Sequence, residues 1–277
     1  RAKLFRDRQL NVDLKWFENY AESLNALASG LLDANTQTLI DTLKMASAGV
    51  ETKIVLTSSY SMGDRQIIAK AGLDRTAEHK EKKIALQVGS SEHFLLDLGL
   101  RRDRLSLKEI ETISLEPETA IEAFLQGRVD AIAVADPWIQ KARTLKGSRV
   151  LWSSAEFPGA ISSHLVVRKT AIAQFSQAMQ KAIATWFDTL NLMETKQQRC
   201  QELMARRAEV PIQEIQDRQA NVKLLSLAEN RRAFGTGTSF DRLPYAIEKS
   251  NQFLMENQFI SAPIDPSQLL DWRFLPT

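Results

Sequence analysis

The loop VGSSEHFLL, residues 88–96, joins an apolar run to a helix-like pattern and carries side chains suited to ion binding. Gly89, Ser90 and Ser91 suit a backbone nest, in which N–H groups and hydroxyls bind an anion. Glu92 adds a carboxylate, which repels an anion but is favoured by the helix dipole in a first helical turn. The loop alone therefore leaves open whether it binds a ligand, and of which sign, or only caps its helix.

Residue types that metal or nucleophilic catalysis requires are sparse. Cys200 is the single cysteine, which excludes an internal disulfide and a cysteine-anchored metal cluster. The three histidines, His79, His93 and His164, stand far apart and lack metal-ligand spacing. No Ser/His/Asp set has recognisable spacing, and the 89–91 loop lacks the lysine of a phosphate-binding loop. The sequence predicts no metal and no cofactor.

Strand and helix patterns alternate along the first two thirds of the chain. Residues 11–17 alternate like a strand, and Asn19 and Gly30 predict the start and end of the following helix. The run TKIVLTSS at 52–59 has no alternation, as in a parallel strand covered on both faces. These patterns predict βαβ units and therefore mostly parallel sheets.

The rest of the chain is predicted to be helical. The composition of the whole chain is typical of a soluble globular protein. From Ala171 onward the chain is nearly all helical, with a break near Pro211. Its 277 residues suffice for one large domain or two lobes, and its formal charge of +2 gives no support to a nucleic-acid or membrane-surface partner. No apolar run approaches the roughly 20 residues of a membrane span.

Several stretches, in their order along the chain, resemble the solute-binding proteins of ABC importers. The branch is that of the nitrate, taurine and alkanesulfonate receptors (SsuA/NMT1-like), which also includes binders of thiamine precursors. The resemblance covers essentially the whole chain. The stretches are WFENYAESLNALASGLLDANTQTLIDTL, KIALQVGSSEHFLL, AIEAFLQGRVDAIAVADPW, EFPGAISSHLVVRK, LSLAENRRAFG, LPYAIEKSNQFLMENQFI and LLDWRFL.

The resemblance implies an α/β protein with the two-lobed type II periplasmic-binding-protein fold. Each lobe is expected to hold a mainly parallel sheet flanked by helices, with a helical C-terminal tail. Residues 1–64 and 165–277 are expected to form lobe one, and residues 65–164 lobe two, with the ligand cleft between them. The chain segments near GDRQII and SSHLVV would form the hinge of a clamp that closes on a small solute.

The start of the chain departs from the pattern of the family. Family members begin with a strand and an aromatic loop before the helix that ends here as AKLFRDRQL. The first strand of lobe one is therefore expected to be missing. The chain also begins without an initiator Met or a signal peptide, which fits a mature or trimmed product.

Carried over residue by residue, the resemblance implies a pocket lined by four loops. Each loop also has a structural alternative: turn or cap formation for the first three, and packing for the tryptophan of the fourth. The implied ligand-binding residues are Asn35, Thr36 and Gln37, then Ser59, Tyr60 and Asp64, then Ser90, Ser91, Glu92 and His93, and finally Asp136 and Trp138.

Carboxylates on three of these loops bear on the sign of the ligand. Asp64, Glu92 and Asp136 outnumber the basic candidates, Arg65 and His93. Converging carboxylates are costly to desolvate, and a ligand cation offsets that cost. The sequence therefore predicts a small nitrogen-rich nutrient, such as a guanidinium, amidine, amine or aminopyrimidine.

The alternative ligand is a small anion: taurine, an alkanesulfonate or nitrate, held by Ser90, Thr36 and helix N-termini. Two hypotheses of other classes remain, an enzyme related to thiamine-pyrimidine synthesis and a ligand-sensing module. The iron motif and the positioned lysine of that enzyme family are not visible, so we expect a receptor and no enzyme. Its expected partners are the solute and a transiently docked ABC permease. It is expected to be a monomer, in the periplasm or anchored on the outer face of the inner membrane.

Overall fold

The structure is a computed structural model that describes residues 4–73 and 81–277. The described α-helices are α1 (Leu4–Asp7), α2 (Tyr20–Ser29), α3 (Leu39–Ser47), α4 (Ser91–Arg102), α5 (Pro117–Leu125), α6 (Trp138–Ala142), α7 (Lys169–Thr195), α8 (Gln197–Ala208), α9 (Ile212–Ala220), α10 (Leu227–Ala233), α11 (Leu243–Glu256) and α12 (Pro266–Leu269). The described strands are β1 (Ala34–Thr38), β2 (Thr52–Ser61), β3 (Arg65–Ala69), β4 (Lys83–Leu86), β5 (Glu111–Ser114), β6 (Ala131–Ala135), β7 (Arg149–Ser153), β8 (Ser162–Arg168) and β9 (Val222–Leu224). His79 lies outside the described residues.

The strands of the described ranges form two sheets flanked by helices, which confirms the predicted α/β class. The first sheet has the order β1-β8-β2-β9 and the second the order β5-β4-β6-β3-β7. Every neighbouring pair in the first sheet is antiparallel. In the second sheet β4 runs parallel to β5 and β6, whereas β3 is antiparallel to β6 and β7.

The prediction of a mainly parallel sheet in each lobe is therefore wrong. In each sheet, antiparallel pairing arises where a strand enters from the other sheet. A strand–helix–strand crossover gives parallel neighbours only when it returns to the same sheet. Strand β8 instead arrives from the second sheet and inserts between β1 and β2 in the opposite direction. Strand β3 likewise follows directly from β2 of the first sheet.

Residues 11–17, predicted as a strand, are an irregular segment in the structure. Leu14 and Trp16 are largely exposed, and the Trp16 ring lies 5.2 Å from the guanidinium carbon of Arg207 on α8. A strand requires a neighbour for its backbone N–H and C=O groups. None of the described strands pairs with this segment.

The chain passes from the first sheet to the second at residues 62–64 and returns at residues 154–161. The two crossings are hydrogen-bonded to each other: Ser61 N donates to Ile161 O at 2.9 Å, and Gly63 N donates to Ser154 Oγ at 2.8 Å. Met62 N donates to the carbonyl oxygen of Asn221 at 2.8 Å. The lobe boundaries and the hinge expected at these crossings stay a prediction.

Helix α4 contributes to the cores on both sides of these crossings. Phe94 is 1% exposed and belongs to the cluster that contains Leu27 of α2 and Phe253 of α11. Leu95 and Leu96 belong to the cluster beneath the second sheet. The two cores therefore meet along one helix.

No helix of the described ranges is both long and apolar enough to cross a membrane.

His164 of β8 is fully buried between two hydroxyl groups. Its Nδ1 lies 3.2 Å from Thr57 Oγ1 and its Nε2 lies 2.8 Å from Ser162 Oγ. Burial lowers the pKa of His164 to about 3. The folded protein therefore keeps this ring neutral at pH values where the unfolded chain protonates it.

We expect this histidine to make the protein less stable in mild acid. Between about pH 6.5 and pH 3 unfolding takes up a proton at His164, so stability falls as the pH drops through this range. Its contribution to the free energy of unfolding should fall by about 2 kcal/mol from pH 7 to pH 5. Urea unfolding at pH 7 and at pH 5 measures the fall in the free energy of unfolding between the two pH values. In His164→Asn this fall should be smaller than in the wild type by the same amount. An equal drop in the variant and the wild type would contradict this account.

Gly63, in the first crossing, should not tolerate a side chain. Its φ is +132°, and an added Cβ would lie 2.8 Å from Asn221 Oδ1. Gly63→Ala should lower the free energy of unfolding by about 1–3 kcal/mol more than Gly49→Ala. Gly49 is the matched control, because its φ is also positive, at +85°, but an added Cβ meets nothing within 4 Å. Equal losses in urea unfolding would show that close packing at the crossing is unimportant.

Candidate functional site

The beginnings of α2 and α3 meet, and a side chain from the last turn of α3 reaches the start of α4. Tyr20, the first residue of α2, accepts a hydrogen bond from Thr38 N and donates one to Asp41 Oδ2, both at 3.0 Å. Lys44 of α3 donates from Nζ to the carbonyl oxygen of Gly89, just before α4, at 2.8 Å. Helix N-termini carry partial positive charge, so their meeting favours negatively charged groups.

The N-terminus of α3 already has its own carboxylate. Thr38 Oγ1 accepts from Asp41 N at 3.2 Å and donates to Asp41 Oδ2 at 2.7 Å. Lys44 Nζ lies 3.1 Å from Asp41 Oδ1. Burial and the charge of Asp41 raise the pKa of Tyr20, which keeps its hydroxyl protonated as the donor. The Asp41 N–H and the Asp41 carboxylate at this helix end are therefore satisfied within the protein.

The N-terminus of α4 has donors and a hydroxyl that lack partners in the part of the chain that the structure describes. Ser90 caps the helix by accepting from His93 N at 3.3 Å. Ser91 is 3% exposed, and its Oγ has no hydrogen-bond partner among the described residues. The N–H groups of Ser91 and Glu92, in the first turn, also make no hydrogen bond to the described part of the chain. Such groups are suited to bind an anion.

Arg65 lies next to this helix end and pairs with two carboxylates. Its Nε lies 3.0 Å from Glu92 Oε1, and its Nη1 lies 2.9 Å from Asp64 Oδ2. The three side chains are only 16–19% exposed. Burial acts to lower the pKa of Arg65, but the charges of Glu92 and Asp64, with a smaller effect of Tyr20, raise it overall. Two of the three carboxylates that suggested a cationic ligand are therefore paired with this cation.

Asp136 is joined to the same region through its backbone. Its N–H donates to the carbonyl oxygen of Asp64 at 3.0 Å. Burial and the negative charge of Asp64 raise the pKa of Asp136. Asp136 and Pro137 line a cavity of about 470 Å³ whose other wall is formed by α9, including Glu214 and Arg218.

The predicted residues of the first loop form a network within their own part of the fold. Asn35 Nδ2 donates to Ser23 Oγ and to Gln37 Oε1, both at 3.2 Å. Gln37 is 1% exposed and its Nε2 donates to Thr42 Oγ1 at 3.2 Å. Thr36 is exposed. The structure does not bring these three side chains into contact with Arg65 or the α4 N-terminus.

Ser59 and Tyr60 lie in β2. Ser59 is half-buried and is paired with Ser163 and Leu224 on the neighbouring strands. Tyr60 is 7% exposed, its hydroxyl donates to the carbonyl oxygen of Asp241 at 3.4 Å, and burial raises its pKa. Both positions belong to the first sheet rather than to the region around Arg65.

His93 and Trp138 pack against apolar neighbours. The His93 ring meets Phe253 and Phe259 edge-on, with centroids 5.1 Å and 5.8 Å apart, and Nδ1 accepts from Gly89 N at 3.2 Å. Burial lowers the pKa of His93 to about 4, so the ring is neutral at pH 7. Trp138 is half-buried against the cluster of α5 and β6. The structure thus brings together Asp64, Ser90, Ser91, Glu92 and Asp136, and leaves the other predicted residues in separate surroundings.

Two residues of this site had no role in the sequence analysis, and a third was only counted as a charge. Tyr20 and Lys44 reach the site through hydrogen bonds to residues 18 and 45 positions away, a separation that gives no local signal. Arg65 adjoins Asp64 in sequence, and this adjacency is a signal for pairing that was available. No group of three or more His, Cys, Asp or Glu in the described ranges is placed to hold a metal ion.

Comparison with known proteins defines the family and the fold. The sequence profile of the NMT1-like family matches residues 1–208, and the chain belongs to this family. A Brucella abortus protein, named only as a binding protein, is 28% identical over 65% of this chain. An Escherichia coli protein named for binding aliphatic sulfonates is 28% identical over 76% of this chain and 66% of its own length. The match spans 57% of the length of the Brucella relative.

Solved structures give the same fold. The periplasmic aliphatic sulphonate binding protein SsuA of Escherichia coli superposes with a TM-score of 0.77 at 22% identity, over 96% of this chain and 86% of that one. The desulfurization enzyme DSZB, in complex with biphenyl-2-sulfinic acid, superposes with a TM-score of 0.65 at 14% identity, over 99% of this chain and 92% of DSZB.

Removing the guanidinium of Arg65 should destabilise the protein, because it leaves Asp64 and Glu92 as unpaired, partly buried carboxylates. Arg65→Gln should lower the free energy of unfolding at pH 7 by about 1–3 kcal/mol in urea. Arg8→Gln is the control: its pair with Asp188 is 37% and 43% exposed, so the loss should stay below about 1 kcal/mol. A loss at Arg65 no larger than at Arg8 would contradict a central role for this pairing.

Proposed function

We propose that this chain is the solute-binding receptor of an ABC importer and that it binds a small monoanion with a sulfonate-like head at the N-terminus of α4. The observation that carries the proposal is the buried Ser91 hydroxyl, which has no partner among the described residues. The free N–H groups of Ser91 and Glu92 adjoin it. A buried hydroxyl without a partner is costly, and a ligand oxygen that accepts its hydrogen bond removes the cost.

The electrostatics of the site favour this ligand over the cation expected from the sequence. The carboxylates of Asp64 and Glu92 already pair with Arg65, so they do not require a ligand cation for neutralisation. Helix N-termini and N–H donors stabilise negative charge. The names of the sulfonate-binding relatives and of the taurine-binding periplasmic protein of Escherichia coli support the same sign.

The proposed receptor works as a clamp. Its lobes are the predicted ones, 1–64 with 165–277 and 65–164, except that residues 162–164 join the first lobe because they belong to β8 of the first sheet. The segments near GDRQII and SSHLVV, which adjoin the crossings at 62–64 and 154–161, act as the hinge. The site lies where α2 and α3 of lobe one face Arg65 and α4 of lobe two, so a ligand there contacts both sides. Closure on the ligand changes the surface offered to a permease. The proposed location is the periplasm or the outer face of the inner membrane.

Catalysis is not part of the proposal. DSZB resembles this chain at 14% identity, which concerns the fold alone. The relatives with higher identity carry the names of binding proteins.

Ser91→Ala should weaken binding without weakening the fold. It removes a hydroxyl that has no partner in the described ranges 4–73 and 81–277, so thermal stability should stay equal or rise slightly. Because the hydrogen bond to a charged ligand is lost, the Kd for methanesulfonate, ethanesulfonate or taurine should rise about tenfold or more in isothermal titration calorimetry. Ser29→Ala, an exposed serine on α2, is the control and should leave the Kd unchanged.

The same titrations test the sign of the ligand. Binding of guanidinium or an amine, with no heat from any sulfonate, would overturn the anionic proposal. Equal sulfonate affinity in Ser91→Ala and the wild type would place the ligand elsewhere.

A further inference from the structure

The site that the proposed function assigns to an anion has an unusual charge balance. Arg65 carries one positive charge and is paired with two carboxylates, Asp64 at 2.9 Å and Glu92 at 3.0 Å. Lys44, a second cation that reaches this region, is paired with Asp41. Together, the side chains of Asp64, Arg65 and Glu92 therefore carry a formal charge of −1. The positive contribution of the α4 N-terminus is only about half a charge.

We propose that Asp64, Arg65 and Glu92 form a charge filter, which lets the α4 N-terminus accept a monoanionic head and makes it reject a dianion of the same shape. The inference rests on the proposed anion site and deepens it. It concerns selection by charge rather than by size. The ligand class that results is a small tetrahedral or planar oxyanion with one negative charge.

The physical argument is one of distance and exposure. A ligand bound to the N–H groups of Ser91 and Glu92 lies roughly 6 Å from the carboxylate of Glu92, because one side chain separates the two positions. All three side chains are 16–19% exposed, so solvent screens them weakly. The carboxylates repel a second negative charge on the ligand, and this repulsion is weakly screened. A dianion gains nothing to offset it, because it makes the same hydrogen bonds as a monoanion.

A purely structural role of Glu92 makes a different prediction. An acid in the first turn of α4 stabilises the helix through its dipole. If that were its whole role, loss of the charge would alter stability and would shift the affinities of monoanions and dianions by the same factor. The ratio of the two affinities therefore separates the filter from the helix effect.

Methanesulfonate and sulfate are the matched probes, since both present oxygens on a tetrahedral sulfur but carry one and two charges at pH 7.5. In isothermal titration calorimetry of the wild type, sulfate should bind at least tenfold more weakly than methanesulfonate. Glu92→Gln keeps the size of the side chain and removes its charge. It should reduce the ratio of the sulfate Kd to the methanesulfonate Kd about tenfold.

Two further variants make the result decisive. Asp64→Asn removes the second carboxylate and should lower the same ratio, which keeps the test valid if Glu92→Gln folds poorly. Glu51→Gln is the charge-matched control. Glu51 is also ion-paired, with Lys169 at 2.6 Å. It lies just before the first residue of the ten-residue strand β2, at the end of the strand opposite to Asp64. Its ratio should equal that of the wild type.

The outcomes separate the filter from the proposed function. If the wild type binds neither anion, the proposed function fails and the inference fails with it. If the wild type binds methanesulfonate but the ratio is unchanged in both Glu92→Gln and Asp64→Asn, the proposed function stands and the filter is overturned. Equal binding of sulfate and methanesulfonate by the wild type also overturns the filter.

Discussion

The pairing of one guanidinium with two carboxylates positions the groups around the candidate site. Arg65 bonds to Asp64, in the crossing between the sheets, and to Glu92, in the first turn of α4. Ser61 Oγ donates to the carboxylate of Asp64, and Asp136 N donates to its backbone oxygen. Two partly buried carboxylates without this cation would be costly. The end of β2, the start of α4 and the loop after β6 therefore share one hydrogen-bonded network.

In the anion site that we propose, the groups that would contact the ligand are hydrogen-bond donors, and the charges around them are paired within the protein. A site that binds anions through free cations attracts any anion and depends strongly on salt. Here Arg65 and Lys44 are already engaged, and the groups without a partner among the described residues include the peptide N–H groups of Ser91 and Glu92 and the hydroxyl of Ser91. Recognition through such donors depends on geometry, because each donor has a direction.

Local physics accounts for what the sequence predicted well. Asn19 accepts a hydrogen bond from Ala21 N, and Gly30 adopts a φ of 89°. These two residues were therefore enough to predict both ends of α2. Pro117 opens α5 in the same way. Strand β2 is buried along most of its length, as its unbroken apolar run predicted. At the ends of α2 and α5 the deciding contacts lie within a few positions along the chain, whereas the burial of β2 follows from its apolar composition.

The wrong or incomplete predictions share a different cause, because their deciding partners are distant in sequence. The antiparallel direction of β2 is set by β8, whose residues follow it by more than a hundred positions. The carboxylate of Glu92 was counted as unpaired because its partner is 27 residues away. His93 adjoins Glu92, yet its ring packs against Phe253 of α11. A sequence alone gives the charges but not their pairing, and the sign of the predicted ligand depended on that pairing.

The position of Phe94 has a consequence for how the molecule folds. Phe94 completes the core beneath α11, while its neighbours Leu95 and Leu96 complete the core of the second sheet. The core beneath α11 is not closed until α4 is in place, and α4 belongs to the half of the chain that forms the second sheet. The half that contains the first sheet is therefore not a self-sufficient folding unit. The two halves should melt as one cooperative body, although the chain connects them only through narrow crossings. In the clamp that we propose, the two walls of the cleft would therefore unfold together.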